Sequence, residues 1–161
     1  MGQFFTGRSG ALYLESTGTT TPTGASTQAL KLRDWSLETT LELLETTTVD
    51  TAVKSYTPGS VSSTGSATVL YYRKDTGEAG TQFTSFLDKI MKTASTGVGT
   101  SDRVGIILRA GSTAGTGSDI KDDISFNAYI TNASMQVSTG ELTSVAIQFT
   151  VDGPFLEVAD A

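Results

Sequence analysis

The reading of the fold turns on LKLRDWSLETTLELLETTTVDTAVKSYTPGSVSSTGSATVLYY, residues Leu30 to Tyr72. Leu30 and Leu32 share one parity, and Trp35, Leu37, Leu41 and Leu43 share the other. Side chains of a strand alternate strictly between two faces, so the switch near Arg33–Asp34 predicts a β-bulge or a bend. A helix competes for the same residues, because Leu37, Leu41 and Leu44 fall at i, i+4, i+7 and both Glu and Leu favour helices. The Thr39-Thr40 pair and the Thr46–Thr48 triple weigh against it, since branched β-carbons crowd a helix and suit a pleated surface. A strand is the favoured reading. Asp50 to Gly65 is polar and broken by Pro58-Gly59, which predicts a long loop of the kind that is often functional or partner-bound. Ala67 to Arg73 (ATVLYYR) is apolar on both parities and predicts a strand covered on both sides.

Working outward, Ala11 to Glu15 (ALYLE) is a short candidate strand, and residues 16–27 (STGTTTPTGAST) form a loop with Pro22 and Gly24 as breakers. Phe83, Phe86, Leu87, Ile90 and Met91 make a stripe at helical spacing, predicting a helix over Thr81 to Ala94. Thr81 is its N-cap, Gly97 its stop, and Lys89 and Lys92 suit the negative end of its dipole. That stripe, with Trp35, is read as core. Val104 to Ala110 is a further strand, followed by a loop over GSTAGTGSDIKDD. Ile124, Phe126, Ala128 and Ile130 alternate, then Met135 and Val137 take the other parity, predicting a second bulge. Val145, Ile147, Phe149 and Val151 follow a turn at Thr139-Gly140, so the last two long strands form an antiparallel hairpin. The expected fold is one mainly β domain: a β-sandwich or barrel of about six or seven antiparallel strands with one flanking α-helix. Flexible loops are expected near residues 16–27, 50–65 and 111–121.

Composition supports this. The chain has 161 residues, enough to bury roughly two thirds of its unfolded surface. Ser and Thr make up more than a quarter of it. There is no Cys and no His, which removes disulfides, thiolate chemistry, the commonest transition-metal ligand and the commonest general base. Zinc hydrolases, Ser-His-Asp enzymes and Cys-His enzymes are excluded, and no catalytic, cofactor or metal site is expected. The net charge is −6 and the pI about 4.5, a poor balance for gripping phosphate, which takes Lys and Arg. No apolar run approaches the ~18 residues of a membrane helix, and no secretory signal opens the chain.

Several short motifs dissolve on inspection. Asp75-Thr76-Gly77 matches the aspartic-protease triplet but follows Arg73-Lys74 in a polar turn. Asp119, Asp122 and Asp123 lack the central Gly and closing Glu of a calcium loop. The glycines at 97–99 and 111–117 do not join a strand to a helix as a phosphate loop requires. Asn132-Ala133-Ser134 is a formal glycosylation sequon, and Gly2 with Thr6 a formal myristoylation pattern; both need a cellular setting the chain gives no sign of. Glu38 and Glu42 lie on the face opposite Leu37, Leu41 and Leu43 if this is a strand, too far from another identified carboxylate to propose a glycosidase pair.

Trp35-Ser36 on the first long strand, then Glu45-Thr46-Thr47, Tyr56 and Pro58-Gly59, then Gly65 to Tyr72, and finally Phe149 with Asp152-Gly153-Pro154 occur in an order and spacing that resembles the major tail tube proteins of long-tailed bacteriophages and related gene-transfer particles. These segments cover a little under half the chain. The Thr/Gly-rich stretch at 16–27 departs from the pattern.

The resemblance implies a β-sandwich subunit that forms rings, usually hexameric. Rings stack into a tube around the tape measure protein and end at tail terminator and distal tail proteins. The tube is part of the virion, assembled in the host bacterial cytoplasm, and double-stranded DNA passes through it without specific binding or a membrane partner. Glu38 and Glu42 would line an acidic lumen, and Tyr56, Pro58 and Gly59 would belong to a loop reaching an adjacent ring. Another self-assembling phage protein (terminator, head decoration or fibre module) and a carbohydrate-binding sandwich are the alternatives.

Overall fold

The computed structural model of the chain describes residues 10–15, 27–28, 32–50, 52–70, 89–92, 95, 97–113 and 120–158. Seven strands are described: β1 (Ala11–Glu15), β2 (Thr27–Gln28), β3 (Leu32–Glu45), β4 (Tyr56–Leu70), β5 (Val104–Thr113), β6 (Ile120–Gln136) and β7 (Ser144–Val158). They form one sheet in the order β2-β1-β5-β6-β7-β4-β3, antiparallel at every pairing. The chain is mainly β, as its composition predicts.

Alternation on each strand builds the core. Val104, Ile106 and Leu108 of β5, Phe126, Ala128 and Ile130 of β6, Val145, Ile147 and Phe149 of β7, and Ala67 and Val69 of β4 are buried in one cluster. Leu12 from β1 belongs to the same cluster, and Trp35 and Leu37 from β3 pack against it, partly buried. Leu12 and Trp35 lie near opposite ends of the strand order, so the sheet must roll until its ends converge on a common interior. It does not close: β2 and β3 remain edges. The expected mainly β, antiparallel fold stands, but the sandwich or barrel is not closed: it is a single rolled sheet. Between its converging ends runs a groove lined by Gly10, Ala110 and residues Leu32 to Trp35.

At the centre, Phe126 stacks on Phe149 at 5.7 Å and meets Phe155 edge-on at 5.7 Å. Phe149 in turn lies over Gly65, where an added β-carbon would stand 2.4 Å from the ring and 2.6 Å from the Ser36 carbonyl oxygen. This is why a glycine interrupts β4 at this point.

Both predicted parity switches are bulges. The β3–β4 register slips between Leu32 and Asp34, and the β6–β7 register slips between Ile130 and Asn132. The strand reading of Leu37–Leu44 holds over the helical one.

Two loop expectations are corrected. The segment 50–65 is a loop only as far as Ser55; Tyr56, Pro58 and Gly59 sit in β4, with Tyr56 opposite Glu45 and Pro58 opposite Leu43. Pro58 is tolerated because it adjoins a second bulge, between Leu41 and Leu43 on β3. The polar run hides a strand because its period is masked: Ser62, Thr64, Ser66 and Thr68 alternate with Val61, Ser63, Gly65, Ala67 and Val69. Likewise Gly111–Thr113 ends β5 and Ile120–Asp123 opens β6; the rest of that expected loop lies outside the described residues.

The helix predicted over Thr81 to Ala94 falls mostly outside the described residues, with Phe83, Phe86 and Leu87; Lys89 and Ile90 are helical, and Ile90 packs against the core. Just beyond, Asp102 holds the 97–102 turn: its carboxylate accepts from Lys92 Nζ and from the Gly99 backbone N–H at 2.8 Å. These bonds, that from Lys92 foremost, hold the Asp102 carboxyl below its ordinary pKa.

A second polar clasp ties three strands. Arg109 donates to both oxygens of Asp123 at 2.7 Å and to the Tyr13 hydroxyl at 2.7 Å, with its guanidinium 4.7 Å from the Tyr13 ring centre. The hydrogen bonds to Asp123 push the Arg109 pKa up, so the group stays charged. Asp123, read from sequence as loop, is thus a strand residue with a structural partner, whereas Asp119 lies outside the described residues.

Candidate functional site

The outer face of β3, β4, β7 and the end of β6 is the most distinctive surface of the molecule. On β3 it presents Ser36, Glu38 and Thr40; directly opposite on β4 stand Ser66, Thr64 and Ser62. Gln148 and Thr150 of β7 lie opposite Ser66 and Thr64, and Asn132 of β6 lies opposite Gln148. The Ser36 and Ser66 hydroxyls are hydrogen-bonded at 2.9 Å. A shallow depression runs across these residues from Glu38 to Thr131.

Glu38 and Glu42 share this face, about 13 Å apart at strand spacing. Glu42 accepts a hydrogen bond from Ser60 at 2.8 Å, and both carboxylates are exposed. No Lys or Arg lies in the strand segments that build the face, 36–44, 60–68, 131–136 and 144–150. Among the described residues, four cations pair with carboxylates elsewhere: Arg103 with Asp152, Arg109 with Asp123, Lys92 with Asp102 and Lys54 with Glu45. The face is thus mostly neutral hydroxyl and amide, with two carboxylates and no positive charge. Among the described residues no group of three acidic side chains could hold a metal ion.

The second feature is an edge. β3 pairs with β4 on one side only, so 14 residues leave roughly half their backbone groups unpaired on the other. Long bare edges are templates for pairing with another chain.

The third is an arm. β7 pairs with β4 only from Thr64 to Leu70, so beyond Thr64 the β3–β4 ladder continues as a two-stranded ribbon. Leu41, Leu43, Leu44, Tyr56 and Val61 on this ribbon are exposed. An isolated two-stranded ribbon is marginal in water, and apolar residues on it are not buried by the chain itself. Tyr56, Pro58 and Gly59 belong to this arm, beside Glu42 and Glu45 rather than in a free loop. Trp35 lies at the other end of β3, partly buried.

Glu38 and Glu42 were legible in the sequence from parity alone. The β4 hydroxyls opposite them, Ser62 and Thr64, were not, because that part of β4 reads as loop; the Ser/Thr alternation over 62–68 is the signal that finds them.

No family model matches the chain, and no curated protein does. Solved structures do. Over 96% of this chain and 79% of the other, it superposes on the SPP1 tail tube, determined by solid-state NMR and cryo-EM, with a TM-score of 0.67 at 15% identity. It matches a chain of a native gene transfer agent virion over 98% and 100%, with a TM-score of 0.64 at 11% identity. A chain from the tail of an empty gene transfer agent particle, refined with C6 symmetry, gives 0.64 at 14% identity over 97% and 100%. Across nearly its whole length, this chain has the fold of subunits found in phage and gene-transfer-agent tails.

Proposed function

We propose that this protein is a structural subunit of a phage-type tail, a virion component that joins copies of itself into rings and stacks them into a tube. The observation that carries the reading is the near-complete match in fold to the SPP1 tail tube and to chains of gene transfer agent particles, one of them from the tail. It is supported by what a tube needs and this chain has: a rolled but unclosed sheet whose long β3 edge can continue into a neighbouring copy, so that closure of the ring removes the bare edge.

In this reading the cation-free face lines the bore. Double-stranded DNA binds proteins by trading condensed counterions for Lys and Arg. A surface of hydroxyls and amides with Glu38 and Glu42 offers no such trade, so DNA is not held. The tube is built around a tape measure protein, ends at terminator and distal tail proteins, and its rings are hexameric. No step of this function is catalytic.

Negative-stain electron microscopy of the concentrated protein tests the core of the proposal. Rings or tubes of uniform bore are expected; a protein that stays dispersed as single globules at every concentration is not a tube subunit. The bore assignment is tested separately with Glu38→Lys/Glu42→Lys tubes, which should slow DNA passage at low salt and recover as screening rises. Unchanged passage through intact tubes would move the bore to another face.

A further inference from the structure

One dipeptide carries a reactivity of its own. Asp152-Gly153 is the only Asp-Gly in the chain, and the chain has no Asn-Gly. At such a pair the backbone nitrogen of the glycine can attack the side-chain carbonyl carbon of the aspartate. Glycine has no β-carbon to block the approach and turns freely about its own backbone. Both reacting atoms belong to one chain, so the ring closes without an encounter between molecules.

The fold leaves this dipeptide loosely held. β7 pairs with β4 only as far as Thr150. Its pairing with β6 passes from Asp152, opposite Asn127, to Glu157, opposite Ser125, so residues 153–156 have no partner in either ladder. Gly153 is exposed at φ +83°, and Pro154 has no N–H with which to rejoin a ladder. The bulge turns Phe155 back toward the core, edge-on to Phe126 at 5.7 Å.

One contact restrains the aspartate. Arg103, just before β5, donates from Nη1 to Asp152 Oδ2 at 3.0 Å. The pair is partly open to water, with 29% of the Arg103 side chain and 43% of the Asp152 side chain exposed. While Oδ2 is bonded to the guanidinium, the carboxyl group is not free to swing onto the Gly153 nitrogen.

We propose that Asp152-Gly153 is a site of spontaneous aspartate isomerisation and that Arg103 sets its rate by clamping the carboxyl group. The Gly153 nitrogen gives up its proton and bonds to Asp152 Cγ, one carboxyl oxygen leaves as water, and a succinimide ring results. Water then reopens the ring. Attack at Cγ restores aspartate, whereas attack at the Asp152 main-chain carbonyl carbon leaves isoaspartate, with the chain running through Cβ and Cγ. The water lost in closure is regained in opening, so nothing else is consumed. The main chain is then one atom longer where β7 enters the bulge, which draws Phe155 off Phe126 and frees the strand end from β6. A single subunit suffices for this chemistry, whatever it assembles into.

Dilute parent protein, Arg103→Met, Arg103→Lys, Arg109→Met and Asp152→Glu, held for weeks at neutral pH and body temperature, test the proposal. Isoaspartate is measured with isoaspartyl methyltransferase and located by fragmentation of the tryptic peptide that begins at Asp122. Arg103→Met should speed its formation about twofold to fivefold, the worth of an ion pair this exposed. Arg103→Lys should recover part of the restraint. Arg109→Met removes a tighter clasp elsewhere and should leave the rate at Asp152 near the parent's, which separates local release from general loss of stability. Asp152→Glu would have to close a larger and slower ring, and should give no product. As isoaspartate accumulates in Arg103→Met, chymotrypsin should begin to cut after Phe155. Equal rates in the parent and Arg103→Met, an equal rise in Arg109→Met, isoaspartate located at another residue, or a modified chain still protected at Phe155 would each overturn the inference.

Discussion

Replacing Gly65 by Ala should cost more than its size suggests. The new β-carbon would meet Phe149 Cζ at 2.4 Å, Cε2 at 2.5 Å and the Ser36 carbonyl oxygen at 2.6 Å. Ordinary contact begins near 3.4 Å, so about 1 Å must be found. The ring cannot give it freely, since Phe149 is 1% exposed and stacked on Phe126. The carbonyl cannot either, being backbone in the β3–β4 ladder. Overpacking a filled core costs about 1–3 kcal/mol, and with both neighbours fixed the upper end, about 3 kcal/mol, is expected. For a domain of this length that lowers Tm by about 6–12 °C.

Thermal unfolding of dilute, unassembled protein followed by circular dichroism measures it. Gly99→Ala is the control: nothing lies within 4 Å of its added β-carbon and its φ is −122°, so its Tm should hold or rise slightly. Phe149→Leu in the Gly65→Ala background should recover part of the loss, because the smaller side chain vacates the clash. A Tm for Gly65→Ala within about 2 °C of the parent, or strict additivity of the two substitutions, would refute the packing argument.

Other consequences follow from the polar clasps and the face. Arg109→Met strands the Asp123 carboxylate, of which 16% is exposed, without its two donors. Residual water access keeps the cost below the ~3–5 kcal/mol of fully buried pairs, at about 2 kcal/mol, and Arg109→Lys should recover only part of it; urea unfolding reads both. Asp102 has a lowered pKa in the folded chain, so its contribution to stability is present above the unfolded value, about pH 4, and is lost as pH falls through the folded one. Asp102→Asn should therefore differ from the parent at neutral pH and converge with it in acid, and a gap that stays constant down to pH ~2 would show that the carboxylate charge is irrelevant. Glu38→Lys/Glu42→Lys should leave stability within about 0.5 kcal/mol, both side chains being exposed, so that under the proposed function a change in DNA passage is read without a change in Tm.

Local pattern was enough for much of this molecule. Period-two runs at Val104–Leu108, Ile124–Ile130 and Val145–Val151 announce core strands because burial of one face demands strict alternation. The parity switches at Arg33–Asp34 and after Ile130 announce bulges for the same reason. The absence of His and Cys restricts chemistry whatever the fold. Glu38 and Glu42 could be placed on one face by counting.

Tertiary structure decided the rest. Tyr56 to Ser63 is a strand only because β3 offers a ladder partner; its Ser, Thr, Pro and Gly have no apolar period to declare it. The open roll follows from where β1 and β3 converge on the core cluster that holds Leu12 and packs against Trp35, a meeting that no local period declares. The need for glycine at 65 is set by a ring 84 residues later, the difference between positions 65 and 149. The absence of positive charge from one face exists only once four strands, each unremarkable by itself, are laid side by side.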